Sequence, residues 1–445
     1  MKSIYIVDIR DESCRIKMGA FLGVILSVFI GIVFLCKVFG FSIFKEKPSG
    51  LPNGSMWHFP FLGETLAYLK PHQSNSLGFF LQDHCSRYGN VFKSHLFGCP
   101  TVVSCDIELN TFILQNEETL FRSSYPKPVH DILGKLSMML VSGDLHKKLR
   151  SVALSFINAS KSSPEFLSYV DTLSLSFIHS WRAHTTRLEF FKEAKKLTFY
   201  LMLKNLMSIE PDDPLAENIL EEFLTFMKGF VSLPVYIPGN AYSKAVKARR
   251  RILSTLKDAI KKREKIMGNV SNVKGDFLDE LLQKDCLNDE EKVSVLLDLL
   301  FAGYETTSGL MALVVYFLAQ APSALQKLRV ISEALRCGNL VKFVHRKALK
   351  DVQFKEYTIP AGWQVLPIIL ATHLDPNLHK SPLEFNPWRW TVCIHCFIYF
   401  YNYIIFLYIL INLLMEWKTK EEDGPMSCPY LDFKGGLVLQ MEQIN

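Results

Sequence analysis

Apolar residues along this chain gather in runs of three kinds. From Gly19 to Cys36 eighteen residues pass without a charge, between Lys17 and Lys37. With a snorkelling lysine and the apolar stretch Val38 to Phe44 behind it, this run is long enough to cross a bilayer. From about Asp106 to Gln326 apolar positions recur at helical spacing, as in the strongly basic run Ser243 to Met267. Such periodicity predicts amphipathic helices whose charged faces meet solvent. Short β-branched and aromatic stretches predict a hairpin at Asn90 to Ser104, broken by Gly98-Cys99-Pro100, and strands at Leu349 to Ile359 and Pro429 to Met441. The expected fold class is mainly α, or α+β, a helical body with small sheets near each end.

The clearest single element runs from Asn288 to Gln320. Asn288 with Glu291 three positions on forms a capping box, and Asp289 and Glu290 suit the first turn. A helix of about 33 residues spans roughly 50 Å and must cross the core. In its middle stands Ala302-Gly303-Tyr304-Glu305-Thr306-Thr307-Ser308. A carboxylate beside three hydroxyls in apolar surroundings is costly to bury unless paired or hydrogen-bonded. Thr306 can bond back to the Ala302 carbonyl and open a local distortion, while Gly303 leaves room for a planar ligand. Two readings stand: a satisfied polar kink, or a proton-delivery or ligand site.

The rest of the chain divides into a lead segment 1–18, the apolar anchor 19–44, a Pro/Gly-rich linker 45–64 and a body 65–445. A signal peptide shares the apolar core but is followed by small residues at a cleavage site, whereas Lys45, Glu46, Lys47 and Pro48 follow here. The lysines after the run favour the body on the cytosolic side, and Met18 is an alternative start. Hydrophobic residues make up 49% of the chain and mean hydropathy is +0.14, which adds to the case for membrane contact. The net charge of +6, without a dense basic stripe, speaks against nucleic acid as a partner. Ten irregularly spaced cysteines do not form a secreted disulfide framework.

Two further charge patterns bear on the body. Glu333 and Arg336 lie three apart on one helical face, and Arg389 sits in the rigid, aromatic Phe385-Asn386-Pro387-Trp388-Arg389-Trp390, where its guanidinium can bridge to Glu333. His146 and Arg150 share a helix face in Gly143 to Arg150, which suits either a basic surface turn or an anion site; His345-Arg346 offers a second.

Ala302-Gly-x-Glu-Thr-Thr in a long helix, the Glu333-x-x-Arg336 helix with its distant Arg389, and the stretch 330–390 with Ile359-Pro360-Ala361-Gly362 and His373-x-Asp375-Pro376 together resemble cytochromes P450, specifically the plant brassinosteroid hydroxylases. The resemblance implies a haem-thiolate monooxygenase, with haem b as cofactor and electrons from NADPH through the NADPH–cytochrome P450 reductase. It further implies a lipophilic, sterol-derived brassinosteroid precursor as substrate and an endoplasmic reticulum membrane location on a single anchor. Glu305 and Thr306 would be catalytic, Thr306 steadying activated dioxygen and Glu305 relaying protons with ordered water. His146, Arg150 and Arg346 would hold the haem propionates, and Glu333, Arg336 and Arg389 would form a structural triad.

The sequence departs from that family in two places. Where a glycine-bearing loop should deliver the cysteine ligand, Thr391 to Met415 is apolar and holds no glycine, arginine or acid. Cys393, Cys396 and Cys428 lack the loop context of a haem thiolate, so no metal ligand is assigned. The run 391–415 is long enough for a second membrane segment, and its composition equally matches translated noncoding sequence. Between Arg329 and Val330 a connector and short helix are missing. Besides the monooxygenase, two readings therefore stand: a catalytically inactive product with the same body, and a two-span membrane structural or interaction protein.

Overall fold

The computed structural model describes residues 31, 49–56, 63–161, 164–184, 187–230, 232, 236–269, 276–284, 286–321, 329–390, 417–419, 424–428 and 430–441. The lead segment, the anchor apart from Gly31, and the apolar run 391–415 lie outside them. The chain divides into units Met1–Leu51 and Pro52–Asn445, and the strands and helices of the body all belong to the second.

Strand β1 (Val91–Leu96) turns into β2 (Cys99–Ser104) through Phe97 and Gly98, both at positive φ, as a two-residue hairpin requires. The pair is more than the isolated hairpin expected. β2 continues in parallel to β5 (Gln364–Pro367), which pairs with β4 (Arg346–Ala348) and then β3 (Phe121–Ser123). Alternate residues supply two cores: Phe92, Leu96, Val103 and Leu366 on one face, Val91, Val102 and Val365 on the other. Apolar side chains thus pack on both faces of the sheet, although its strands also carry polar residues such as Ser94, His95 and Lys347.

The helical body comprises α1 (Gly143–Lys161), α2 (Phe190–Met207), α3 (Pro214–Met227), α4 (Ala241–Asn269), α5 (Asp289–Ala302), α6 (Ser308–Gln320) and α7 (Arg329–Gly338), with the 21-residue helix Pro164–His184 between α1 and α2 and shorter helices elsewhere. The capping box forms: Asn288 Oδ1 accepts from the Glu291 amide at 2.9 Å, and Glu291 Oε2 accepts from the Asn288 amide at 3.0 Å. The central element is not one continuous α-helix. Gly303–Thr307 winds as a π-turn between α5 and α6, the distortion that a threonine bonding to its own i−4 carbonyl favours. On α4 most basic residues face solvent as expected. Arg263 does not: it is buried, donating to Asp276, Asp279 and the Met207 carbonyl.

One cluster fastens α7 to the chain beyond it. Glu333, fully buried, accepts from Arg336 Nε at 3.0 Å and Nη2 at 2.8 Å, from Arg389 Nε at 3.0 Å, from the Asn386 amide at 2.9 Å and from the Trp390 indole at 2.8 Å. Arg336 then donates to the carbonyls of His373, Pro382 and Glu384, and Arg389 to those of Lys380, Ser381 and Glu384. Burial by itself raises the Glu333 pKa, but the bonds from Arg336, the Asn386 amide and Trp390 bring it below its ordinary value.

Glu333→Gln leaves two guanidinium groups without their carboxylate in the interior and should cost about 3–5 kcal/mol in urea denaturation at pH 7. Because the folded pKa is depressed, the stability Glu333 contributes is present above the ordinary value of 4.5 and is lost as pH falls through the folded value. The gap between native and variant should therefore narrow in the same titration repeated near pH 3.

Candidate functional site

The central helix is buried along both halves, from Val293 to Leu300 and from Ser308 to Leu318. In its middle Ala302 and Thr306, one turn apart, are exposed. A buried helix that opens at one turn marks a place where something can approach it. Thr306 Oγ1 donates to the Ala302 carbonyl at 2.8 Å, which fixes the side chain on that open face with its lone pairs free to accept. Gly303, between them, packs its backbone on Met202 of α2, and a Cβ there would stand 2.5 Å from the Met202 sulfur.

Glu305 has a different partner. Lys195 Nζ, on α2, stands 3.5 Å from Glu305 Oε2, an ion pair without hydrogen-bond alignment, and lies 4.2 Å over the Phe191 ring. Burial raises the Glu305 pKa, and Lys195 opposes that shift. The result is a carboxyl able to hold or release a proton beside the Thr306 turn.

An aromatic wall starts at Phe301, the residue before Ala302. Phe230 stacks on Phe301 at 5.2 Å between centroids and meets Tyr430 edge-on at 6.1 Å. Burial keeps the Tyr430 phenol protonated, with Glu305 and Tyr125 adding to the effect. Asp298, one turn before Ala302, accepts from the Met138 amide at 2.6 Å and so ties the loop before α1 to α5. Burial pushes its carboxyl up to about 6 against the pull of Met138, Ser137 and Arg249.

The expected anion-binding residues are placed separately. On α1 His146 is half-buried and Arg150 exposed, and neither has a hydrogen-bonding or ionic partner among the described residues. Arg346, on β4, donates from Nη1 to the His345 carbonyl and from Nη2 to Glu117 at 3.1 Å, while its buried Nε has no partner among the described residues. His345 is the uncharged member of its pair, pushed down to about 4 by burial and by Arg346. The structure thus brings Glu305 and Thr306 together on the central turn and Glu333, Arg336 and Arg389 into one cluster; it engages Arg346 with Glu117.

Lys195, Tyr430 and Asp298 were not among the residues expected at the site. Asp298 carried a signal, a lone acid inside Leu296-Leu297-Asp298-Leu299-Leu300. Lys195 and Tyr430 carried none, since each meets the site from over a hundred residues away in sequence.

A family model described as Cytochrome P450 matches residues 52–330 and 329–393, in two pieces that meet at the Arg329–Val330 join. The chain is 45% identical to Cytochrome P450 724B1 of Oryza sativa subsp. japonica, over 88% of this chain and 92% of that one. It is 39% identical to a cholesterol 22-monohydroxylase of Paris polyphylla, over 90% and 95%, and 36% identical to a steroid (22S)-hydroxylase of Oryza sativa subsp. japonica, over 90% and 89%. Among solved structures, a retinoic acid-bound cyanobacterial P450 superposes with a TM-score of 0.75 at 21% identity, covering 88% of this chain and 99% of that one.

Membership of that family implies haem b, with electrons drawn from NADPH by a reductase. The described residues suit the distal and propionate sides of a haem: an exposed Ala302–Thr306 face, unpartnered His146 and Arg150, and the orphaned Arg346 Nε. They do not supply the iron ligand. Cys105 is buried in the Phe92 core with Cys85 packed against it, and burial raises the Cys99 thiol. Cys286 is exposed ahead of α5. Cys337 belongs to the Glu333 cluster, where burial pushes its thiol up to about 12. Cys393 and Cys396 lie outside the described residues.

Since the folded state holds the Glu305 proton more tightly than the unfolded chain, ionising it costs stability as pH rises above the ordinary value of 4.5. Glu305→Gln should accordingly melt above the native chain at pH 8. The difference in Tm, followed by circular dichroism, should close by pH 4.

Proposed function

This chain belongs to the cytochrome P450 family, and we propose that its body is shaped to hydroxylate a sterol-derived brassinosteroid precursor on the side chain. The observation that carries the reading is the open Ala302–Thr306 turn beside the wall of Phe301, Phe230 and Tyr430. A flat, rigid, apolar skeleton covers such a wall with little loss of conformational freedom, and the Tyr430 hydroxyl can donate to a sterol oxygen. Thr306 offers an accepting hydroxyl at the reacting face, and Glu305 a carboxyl that takes up and returns protons. The names of the relatives acting on cholesterol and steroids at carbon 22 support both the substrate class and the side-chain position. In the reaction proposed, one atom of dioxygen enters a C–H bond and the other leaves as water, using two electrons from NADPH and two protons. The anchor 19–44, an endoplasmic reticulum location and a membrane-bound reductase partner belong to the same proposal.

A second reading is favoured by one observation: none of Cys85, Cys99, Cys105, Cys286 and Cys337 stands in the loop context of a haem thiolate. On that reading the chain binds sterol and does not oxidise it.

A reduced, carbon monoxide-bound spectrum of the full chain separates the two. A Soret band at the thiolate-ligated position would establish the monooxygenase, with its ligand outside the described residues; retained sterol binding without that band would establish the silent form. Under either outcome Phe301→Ala should weaken cholesterol binding about tenfold in equilibrium dialysis, the loss of about 1.4 kcal/mol. Unchanged affinity would sink the proposed wall.

A further inference from the structure

A cleft of about 200 Å³ lies away from the open turn, lined by Tyr68, Leu77, Phe80, Phe343, Ile368 and Lys342 among others. None of these belongs to the Ala302–Thr306 face. Lys342 is only 9% exposed. Its Nζ is 2.7 Å from His72 Nε2, and His72 Nδ1 is 2.9 Å from the Lys70 carbonyl. A carbonyl can only accept, so Nδ1 carries the imidazole proton and Nε2 accepts from the ammonium.

That leaves Lys342 with one neutral partner and two further N–H bonds. No carboxylate pairs with it among the described residues. The contrast with the buried guanidinium groups of this chain is direct: Arg263 lies between Asp276 and Asp279, and Arg336 holds Glu333. A buried ammonium without a counter-charge is unfavourable, and burial accordingly pushes the Lys342 amine down to about 7. An anion entering the cleft would supply what is missing. The lining decides what kind, because a small hydrated anion gains nothing from Leu77, Phe80 and Ile368.

We propose that this cleft binds a short amphiphile whose anionic head, a carboxylate, sulfate or phosphate ester, takes the two free N–H bonds of Lys342 while its alkyl part packs on Tyr68, Phe80 and Phe343. The volume holds roughly six groups the size of a water molecule, at about 30 Å³ each, which suits a chain of about six carbons. The His72–Lys342 pair holds the ammonium in place, and the cation and the apolar walls each select part of the ligand.

Hexanoate, hexanol and acetate, each labelled with 13C at carbon 1, provide the test. They are titrated into the full chain in zwitterionic-lipid nanodiscs and followed by line broadening, with empty nanodiscs subtracted. In the unaltered chain hexanoate should bind at least about tenfold more tightly than either hexanol or acetate. Lys342→Met should bring hexanoate down to the level of hexanol, and Lys342→Arg should retain it within about threefold. Octyl sulfate or hexyl phosphate displacing hexanoate would tell which head group is preferred, and each result fits the proposal. Equal binding of hexanoate and hexanol, equal binding of acetate and hexanoate, or an undiminished affinity in Lys342→Met would each overturn it. The first two comparisons use the unaltered chain and decide the matter even where the methionine variant does not fold.

Discussion

A single carboxylate, Glu333, receives five hydrogen bonds from nitrogen donors inside this protein, three of them from two guanidinium groups. Such a group is stable only as a set. Each partner removed leaves a charge or a donor stranded in the interior, where water cannot replace it. The set joins α7 to the segment from His373 to Trp390, which has little regular structure to hold it otherwise. Two residues after Arg336, at the C-terminus of α7, Gly338 lies against Leu313 of α6, close enough that a Cβ would meet its methyl at 2.1 Å. The cluster thereby sets where the central helix can lie.

Given that position, the chemistry of the open turn follows from local bonding. Thr306 draws off the Ala302 carbonyl, the helix widens to a π-turn, and two neighbouring side chains take up different surroundings: Thr306 toward the opening, Glu305 toward Lys195. A regular α-helix would keep that carbonyl for its own backbone. The distortion is therefore part of how one short polar segment serves two environments at once.

Much of this is written locally. The capping box at Asn288, the back-bond of Thr306 and the Glu333–Arg336 pair all join residues three or four apart, a separation that helical geometry turns into contact. Arg389 was legible because aromatic and proline neighbours marked a rigid turn. The π-turn itself was not, since threonine at that place is compatible with a regular helix. Nor were the Glu305–Lys195, Arg346–Glu117 and Lys342–His72 pairs: each joins distant segments, and no period in the chain reports a partner 110, 229 or 270 positions away. Arg263 shows the same limit in reverse, a residue of a basic face that tertiary packing turned inward to Asp276 and Asp279.

The position of Trp390 bears on how fold and chemistry are divided in this chain. Its indole closes the Glu333 cluster, and the apolar run begins at the next residue. Among the described residues, the bonds of the cluster thus lie before that run. Beyond it the backbone resumes regular pairing: the strand Pro425–Cys428 with His72–Gln73, and Val438–Met441 with Arg187–Glu189. Elements on both sides of the run 391–415 are held by contacts that do not involve it. The pairings on either side therefore support the described body independently of the run in which the sequence departs from its family. The contacts that hold the described fold, the Glu333 cluster and these strand pairings, are thus a separate set of residues from those that would serve the oxidation of a sterol.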